Sequence, residues 1–442
     1  MTFRLLGNDV ERLLIVGYGL TGRAAAAFCL RQGLRFSVSD AGILSTSDEA
    51  WLRTHAEAFE IGGHTERLLD GADVVIASPG VPFGLRLFAA AAEREIPVVS
   101  ELDVAGEAAD GRRIVAVSGT NGKSTTVSLI GDLLEGAGVR AVVAGNIGLP
   151  FLEIADRASD WDVAVLEVSS FQLEQSVVFH PHVAVLLNLT PNHIERHGSM
   201  AAYAAAKLRL FAHQTPSDVA ILPAHLAAAV DHGRGRVVLY DQPFPPLPRG
   251  SEQIGEVRRL DLAAAVAACR EIVPGFDATG RTVQELARAL YLPFRQETVG
   301  MIGGVRVVND SKATSPAATM AALRSTREPA VLLLGGRSKR GGYDELAAFL
   351  SAFPPRGVVV FGEARAEIAG HLACAAVGHS VVEDLESAVT TGLALAAPGD
   401  ALLLSPACSS FDAFRSYEER GEAFNFIVRQ LPGFLAVSVA DT

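Results

Sequence analysis

The chain has 442 residues, 49% hydrophobic and 20% charged, which excludes a disordered chain and makes two to four domains the reasonable expectation. Lys+Arg 38 against Asp+Glu 50 gives a formal charge of −12, which argues against a general nucleic-acid binder but not against anionic substrates held by local basic groups. No stretch approaches about eighteen uninterrupted apolar residues, the start MTFRLLGNDVERLLIV lacks a signal peptide's layout, and Cys29, Cys269, Cys374 and Cys408 form no CxxC pair, so the expectation is a cytoplasmic chain of free thiols without a membrane or nucleic-acid partner.

Short apolar strands alternate with Ala-rich helical stretches throughout, the pattern of an α/β fold with parallel sheets covered by helices. The first block, residues 1–101, runs through the strand of RLLIVGYGLTG, a helix AAAAFCLRQG, the strand RFSVSD, then DVVIASPG and IPVVS. Gly17, Gly19 and Gly22 follow a strand and open a helix, and Asp40 ends the next strand, which satisfies the dinucleotide fingerprint formally. The underlying physics is general, since glycines let the backbone approach any phosphate and a helix N-terminus supplies amide donors. On these residues alone NAD(P), another nucleotide and a bare structural turn all stay open.

The second block, 102–292, opens with RRIVAVSGTNGKSTT and continues through VRAVVAGN, DVAVLEVSS and VAVLLNL, with the Pro-rich loop Asp241–Gly250 inside it. Gly119-Thr120-Asn121-Gly122-Lys123-Ser124-Thr125 is the strongest local signal. A Gly-rich turn between strand and helix aims amides at phosphates, the lysine adds a point charge, and Ser or Thr hydroxyls ligate Mg²⁺. It is a variant of the usual phosphate loop, because Val117 stands where that motif has its first glycine. Glu167 ends the strand DVAVLEVSS, His193 follows the next strand in LNLTPNHIERHG, and Lys207 lies in the helical run AAYAAAKLRLF. Singly these read as a strand-end salt bridge, a loop cap and a solvated helix charge. Their order and setting together point to a metal-assisted phosphoryl site.

The third block, 293–442, begins at LPFR and passes through VRVVND, PAVLLLGG, GVVVFG and ALLLSPA. Here the chain resembles a known family. GTNGKST, EVSSFQLE, NLTPNHIERHG and YAAAKLRLF are similar to the central domain of the Mur ligases. NDSKAT, LLLGG followed by a lysine, and LSPACSSFDAFRSYEERG are similar to the glutamate-adding branch. The likeness covers essentially the whole chain. It implies a Rossmann-like N-terminal domain for a UDP substrate, a P-loop-type central ATPase domain and a Rossmann-like C-terminal domain for glutamate. It also implies an ATP-dependent ligase that adds D-glutamate to UDP-N-acetylmuramoyl-L-alanine through an acyl phosphate, working as a monomer.

Residue by residue, the resemblance gives Lys123 and the loop amides to the phosphates of ATP, with Arg295 and Asp310 also on ATP. It gives Ser124, Glu167, His193 and a CO₂-derived carbamate on Lys207 to two Mg²⁺ sites. A carbamate makes sense there because an ammonium repels Mg²⁺ and a carbamate oxygen ligates it. Gly19, Leu20, Thr21, Asp40, Ser78, Pro79, Gly80, Asn146 and Gln172 fall to the UDP substrate. Lys312, Thr314, Lys339, Ser410, Phe411 and Tyr417 fall to glutamate, although Phe411, Phe414 and Tyr417 also read as a helix's core face. Three departures stand out. Val257-Arg258-Arg259-Leu260-Asp261 replaces the asparagines that hold adenine, Phe294 replaces a histidine, and Asn192 replaces an aspartate beside His193. The rival readings are a nicotinamide oxidoreductase, another amino-acid ligase of the superfamily, and a weakly active nucleotide-binding paralogue.

Overall fold

In the computed structural model, which describes residues 3–82, 84–157, 159–252, 254–290, 292–338 and 342–436 (of Glu195 and Arg288 the backbone alone), three main sheets follow in chain order. The first is a five-stranded parallel sheet in the order Ala58–Ile61, Arg35–Asp40, Arg12–Val16, Val74–Ala77, Val98–Val99. Its central strand is completely buried from Leu13 to Val16, as a run of Leu, Ile and Val covered on both faces must be. The strand order reverses at Arg12–Val16, so the crevice beyond its C-terminal end opens at GYGLTG.

The second sheet is six-stranded and parallel, in the order Arg236–Leu239, Val219–Leu222, Val183–Leu186, Arg113–Ser118, Val163–Glu167, Ala141–Gly145. Again the order reverses at the first strand in sequence, Arg113–Ser118. Its register pairs Val117 with Glu167 on one side and Ser118 with Leu186 on the other. The phosphate loop, Glu167 and Asn188 therefore leave the sheet at one edge. Register alone brings them together.

The third sheet departs from the parallel expectation. Ser380–Val381, Gly357–Phe361, Ala330–Gly335, Ala401–Leu404 and Val305–Asn309 are parallel, but Glu297–Ile302 and Phe434–Ala436 join antiparallel at one side. The reversal is made by Gly303 and Gly304, both at positive φ, the two-residue glycine hairpin that IGGV encodes. A short hairpin, Phe3–Leu5 with Asn8–Val10, precedes the first sheet.

The chain divides into two compact units. One comprises Met1–Asn188, Ala204–Arg249 and Leu260–Arg281, and the other Leu189–Tyr203, Gly250–Arg259 and Thr282–Thr442. Among the described residues, no helix is long and apolar enough to cross a membrane.

Candidate active site

The strand Arg113–Ser118 delivers the chain into Gly119 at φ +150 and Gly122 at φ +85, and the helix Lys123–Gly136 starts with Gly122 as its cap. A left-handed, side-chain-free cap leaves the first helical amides facing the loop, the arrangement that receives phosphate. The Lys123 ammonium folds back on its own loop, donating to the carbonyl oxygens of Gly119 and Thr120 at 3.0 Å each. Asn188 braces the loop from the neighbouring strand. Its Oδ1 accepts from the Asn121 amide at 2.9 Å, and its Nδ2 donates to the Asn121 carbonyl at 3.1 Å.

Glu167 is buried at the end of its strand, where its carboxylate accepts from the Ser124 hydroxyl and, at 2.9 Å, from Asn146 Nδ2. Two groups expected to meet metal, Ser124 and Glu167, are thus in direct contact, and Asn146 is held against them. Lys207 is not a solvated helix charge. It is 2% exposed, near the end of the helix Met200–Leu208, and its Nζ donates to the Gly119 carbonyl at 2.8 Å and the Ser118 hydroxyl at 3.3 Å. Two lysines therefore share one carbonyl. Burial first, then repulsion by Lys123, hold the Lys207 amine well below the usual lysine range, with Glu167 opposing.

Around the N-terminal glycines, Asp40 has both oxygens engaged locally, Oδ2 by the Tyr18 amide at 2.5 Å and Oδ1 by the Gly42 amide at 2.6 Å. Ser78 donates to the Gly17 carbonyl at 2.8 Å, while Pro79 and Gly80 follow in the same turn. A Cβ on Gly22 would lie 2.0 Å from the Gly17 carbonyl oxygen, so this glycine is a packing requirement. Gly19 caps the helix Leu20–Gln32 with no side chain, leaving Leu20 and Thr21 in an open first turn, with Leu20 75% exposed. Gln172 is engaged at both ends of its amide: its Oε1 accepts from Ser169 and its Nε2 donates to Glu101 at 2.8 Å.

In the second unit His193 caps the short helix Ile194–His197 at φ +55. Asp310 is buried, its Oδ2 accepting from Ser405 at 2.9 Å and its Oδ1 from the Gln296 amide at 3.2 Å. Burial pushes its carboxyl up to about 7 against these hydrogen bonds and against Arg295. The Lys312 ammonium stands 3.7 Å from the Tyr417 ring centroid, and the Thr314 amide donates to the Lys312 carbonyl at 2.8 Å. Ser410 is buried and Phe411 exposed, whereas Phe414 packs on the core beneath the sheet. The aromatic stripe therefore divides: Phe414 is core and Tyr417 is not. Lys339 lies outside the described residues.

The departures have structural counterparts. Asp261 is buried against the phosphate loop, its Oδ1 2.2 Å from where a Cβ on Gly122 would stand. Phe294 lays its ring on Gly421, whose Cβ would come within 2.3 Å of it. Asn188 and Arg420 are site-building residues that the motifs contain without singling out, and Glu101 is one that follows IPVVS and falls in no motif.

Comparison with known proteins gives three family matches: Mur ligase MurD-like N-terminal domain at residues 11–100, Mur ligase middle domain at 117–236, and the Mur ligase glutamate ligase domain at 294–408. The UDP-N-acetylmuramoylalanine–D-glutamate ligase of Koribacter versatilis is 36% identical over 451 residues, covering 95% of this chain and 98% of that protein. The protein of the same name from Pelotomaculum thermopropionicum is 36% identical over 452 residues, with the same coverage of both chains. Among solved structures, the MurF ligase of Thermotoga maritima in complex with ADP aligns at TM-score 0.57 and 18% identity, covering 89% of this chain and 94% of that one. MurF from Acinetobacter baumannii aligns at 0.56 and 16%, covering 96% and 95%. At that identity these two carry the fold alone.

Proposed function

The chain belongs to the Mur ligase family, and on that premise we propose that it is the ATP-dependent, ADP-forming ligase joining D-glutamate to UDP-N-acetylmuramoyl-L-alanine in peptidoglycan synthesis. The observation that carries this reading is the convergence at Gly119. There the phosphate-loop lysine, the buried amine of Lys207 and the Ser124–Glu167 contact meet at one sheet edge. A nicotinamide oxidoreductase has no use for that assembly.

The donor set fits Mg²⁺ with one gap. Ser124 and Glu167 offer hard oxygens, but among the described residues no group of three His, Cys, Asp or Glu side chains gathers to hold a metal. A carbamate on Lys207 would add the further carboxylate-like oxygen, and burial, by lowering the amine's pKa, favours the neutral form of lysine that reacts with CO₂. When bound, Mg²⁺ neutralises charge on the transferring phosphoryl group, with His193 assigned to a second such site.

The protein's own residues then do the following. Loop amides and Lys123 hold the β- and γ-phosphates, and the open helix N-terminus at Gly19 receives the pyrophosphate of the UDP substrate, with Leu20, Thr21, Asp40 and the Ser78–Gly80 turn around it. The alanyl carboxylate attacks the γ-phosphate, and the acyl phosphate formed is attacked by the amine of glutamate, releasing phosphate and leaving ADP. Lys312, Thr314, Lys339, Ser410, Phe411 and Tyr417 are assigned to glutamate, and Arg295 and Asp310 to ATP. We assign a monomer working in the cytoplasm on small-molecule substrates. The test is ADP release with UDP-N-acetylmuramoyl-L-alanine across a panel of D- and L-amino acids. Release confined to D-glutamate is expected, and release that ignores the UDP substrate would sink the reading.

A further inference from the structure

Arg420, in the first turn of the helix Tyr417–Gln430, is fully buried, and all five of its N–H groups are used on neutral oxygens. Nε donates to the Ser311 hydroxyl at 3.0 Å. Nη1 donates to the carbonyls of Gly335 at 3.2 Å and Ser409 at 3.3 Å, and Nη2 to those of Ser311 at 2.8 Å and Cys408 at 3.1 Å. Three separate loops are thereby pinned to one planar group. Each adjoins a group assigned to the amino acid: Ser311 precedes Lys312, Ser409 precedes Ser410, and Gly335 opens the GGRSK loop. Gly336 is shaped to admit the guanidinium, since at φ +134 its Cβ would stand 2.9 Å from Nη1 and 2.2 Å from the Ser409 carbonyl oxygen.

Among the described residues no carboxylate lies within ion-pair distance of Arg420; Asp310 and Asp412 act on it only from farther away. Burial pulls its pKa down to about 10, so it stays charged at neutral pH. A buried guanidinium paired only with neutral oxygens is costly unless an anion comes to it. An isolated scaffold role is better served by a neutral residue.

We propose that Arg420 is a positioning residue for the amino-acid substrate, setting the Lys312, Gly335–Arg337 and Ser410 loops in register and lending its charge to a bound dicarboxylate. This rests on the glutamate reading given above. The test compares Arg420→Lys, which keeps the charge and loses the planar fork, with Arg420→Met, which loses both. For each variant, the KM values for D-glutamate and D-glutamine are measured, with positional isotope exchange in ATP on the UDP substrate alone.

Isotope exchange within about threefold of the parent is expected, with D-glutamate KM raised about tenfold or more, as loss of charged hydrogen bonds implies. The preference for D-glutamate over D-glutamine should fall further in Arg420→Met than in Arg420→Lys. Ser311→Ala, which removes the Nε acceptor together with the hydroxyl's own bond to the Tyr417 carbonyl, should raise the same KM by about two- to fivefold and serves if Arg420→Met does not fold. An unchanged KM, or isotope exchange and D-glutamate use falling in step, overturns the proposal. A parent protein with no D-glutamate-dependent ADP release fails the glutamate reading instead, before any variant is compared.

Discussion

The Lys312 ammonium lies 3.7 Å from the centroid of the Tyr417 ring, so the ring face holds a cation at the head of the helix Tyr417–Gln430. The Ser311 hydroxyl donates to the Tyr417 carbonyl at 2.8 Å, which ties the residue before Lys312 to the backbone of Tyr417. Ring and charge are therefore set by one local unit. A cation–π contact of this kind is worth about 0.5–2 kcal/mol. Tyr417→Leu should raise KM for D-glutamate by about 3- to 30-fold and leave KM for the UDP substrate unchanged, whereas Tyr417→Phe should stay within about threefold. Steady-state kinetics with each substrate varied in turn decides it, and equal losses in Phe and Leu variants would show that the hydroxyl, not the ring face, matters.

Lys207 sets stability against activity. Its folded-state pKa is depressed well below the ordinary lysine value, so between the two the unfolded chain binds a proton that the folded chain does not, and stability from this group rises with pH toward the ordinary lysine pKa. Lys207→Met removes that burden and fills the same buried space. The variant should lose at least about a hundredfold in kcat, as removal of a transition-state charge stabiliser does, while its Tm rises by a few degrees, on the order expected for 1 kcal/mol or more. Calorimetry and ADP release on the same preparation check both halves. A carbamate would appear in the parent as added intact mass under native conditions, and activity should fall in CO₂-depleted buffer and return with bicarbonate. Insensitivity to CO₂ would remove the carbamate from the mechanism.

The parts legible in the sequence were those where one residue type answers one local demand. Gly119 and Gly122 adopt positive φ, Glu167 ends a buried strand, and VRVVN forms the strand Val305–Asn309, although Glu297–Ile302 and not this strand opens the third block. Burial of Lys207 was not legible from its helix, because an Ala-rich run has no polar face to mark which side is inward; only the resemblance singled it out. Arg420 and Asn188 escaped for a related reason. Their partners are backbone carbonyls and amides brought near by register, and a backbone oxygen leaves no trace in residue identity. The antiparallel edge of the third sheet was encoded in IGGV, a segment between LPFR and VRVVND to which the sequence motifs assign nothing.

Gly122 carries a test of the departure at Asp261. With φ +85 and a Cβ that would fall 2.2 Å from Asp261 Oδ1 and 3.1 Å from Leu187 Cδ1, alanine is excluded both by backbone and by space. Gly122→Ala should lose about tenfold or more in kcat/KM for ATP, since strain of this kind is worth about 1–3 kcal/mol. Asp261→Ala removes the nearer obstacle, so the double variant should recover part of that loss. Strictly additive effects would mean that the backbone conformation, not the aspartate, accounts for all of it.

Glu101 gives a pH-dependent signature. It is fully buried at the start of its helix, Oε1 accepting from Gln172 Nε2 at 2.8 Å, and among the described residues no partner is found for Oε2. Burial, aided by Asp103, pushes its carboxyl up to about 7 from 4.5, against the hydrogen bonds from Gln172 and Leu152. Between those two values the folded chain binds more protons than the unfolded chain, so this group's contribution is full at acid pH and is lost as pH rises through 7. Glu101→Gln keeps the acceptor for Gln172 and cannot ionise. Its stability relative to the parent should therefore improve as pH rises from about 4.5 to about 7, at up to about 1.4 kcal/mol per pH unit, and be flat on either side of that window. Asp310, raised the same way in the other unit, is common to both proteins and cancels in the difference. Melting temperatures at half-unit steps from pH 4 to 9 would trace the curve. A constant offset between the two proteins would mean that Glu101 does not titrate in that window, and that Gln172 is held by a carboxylate at all working pH.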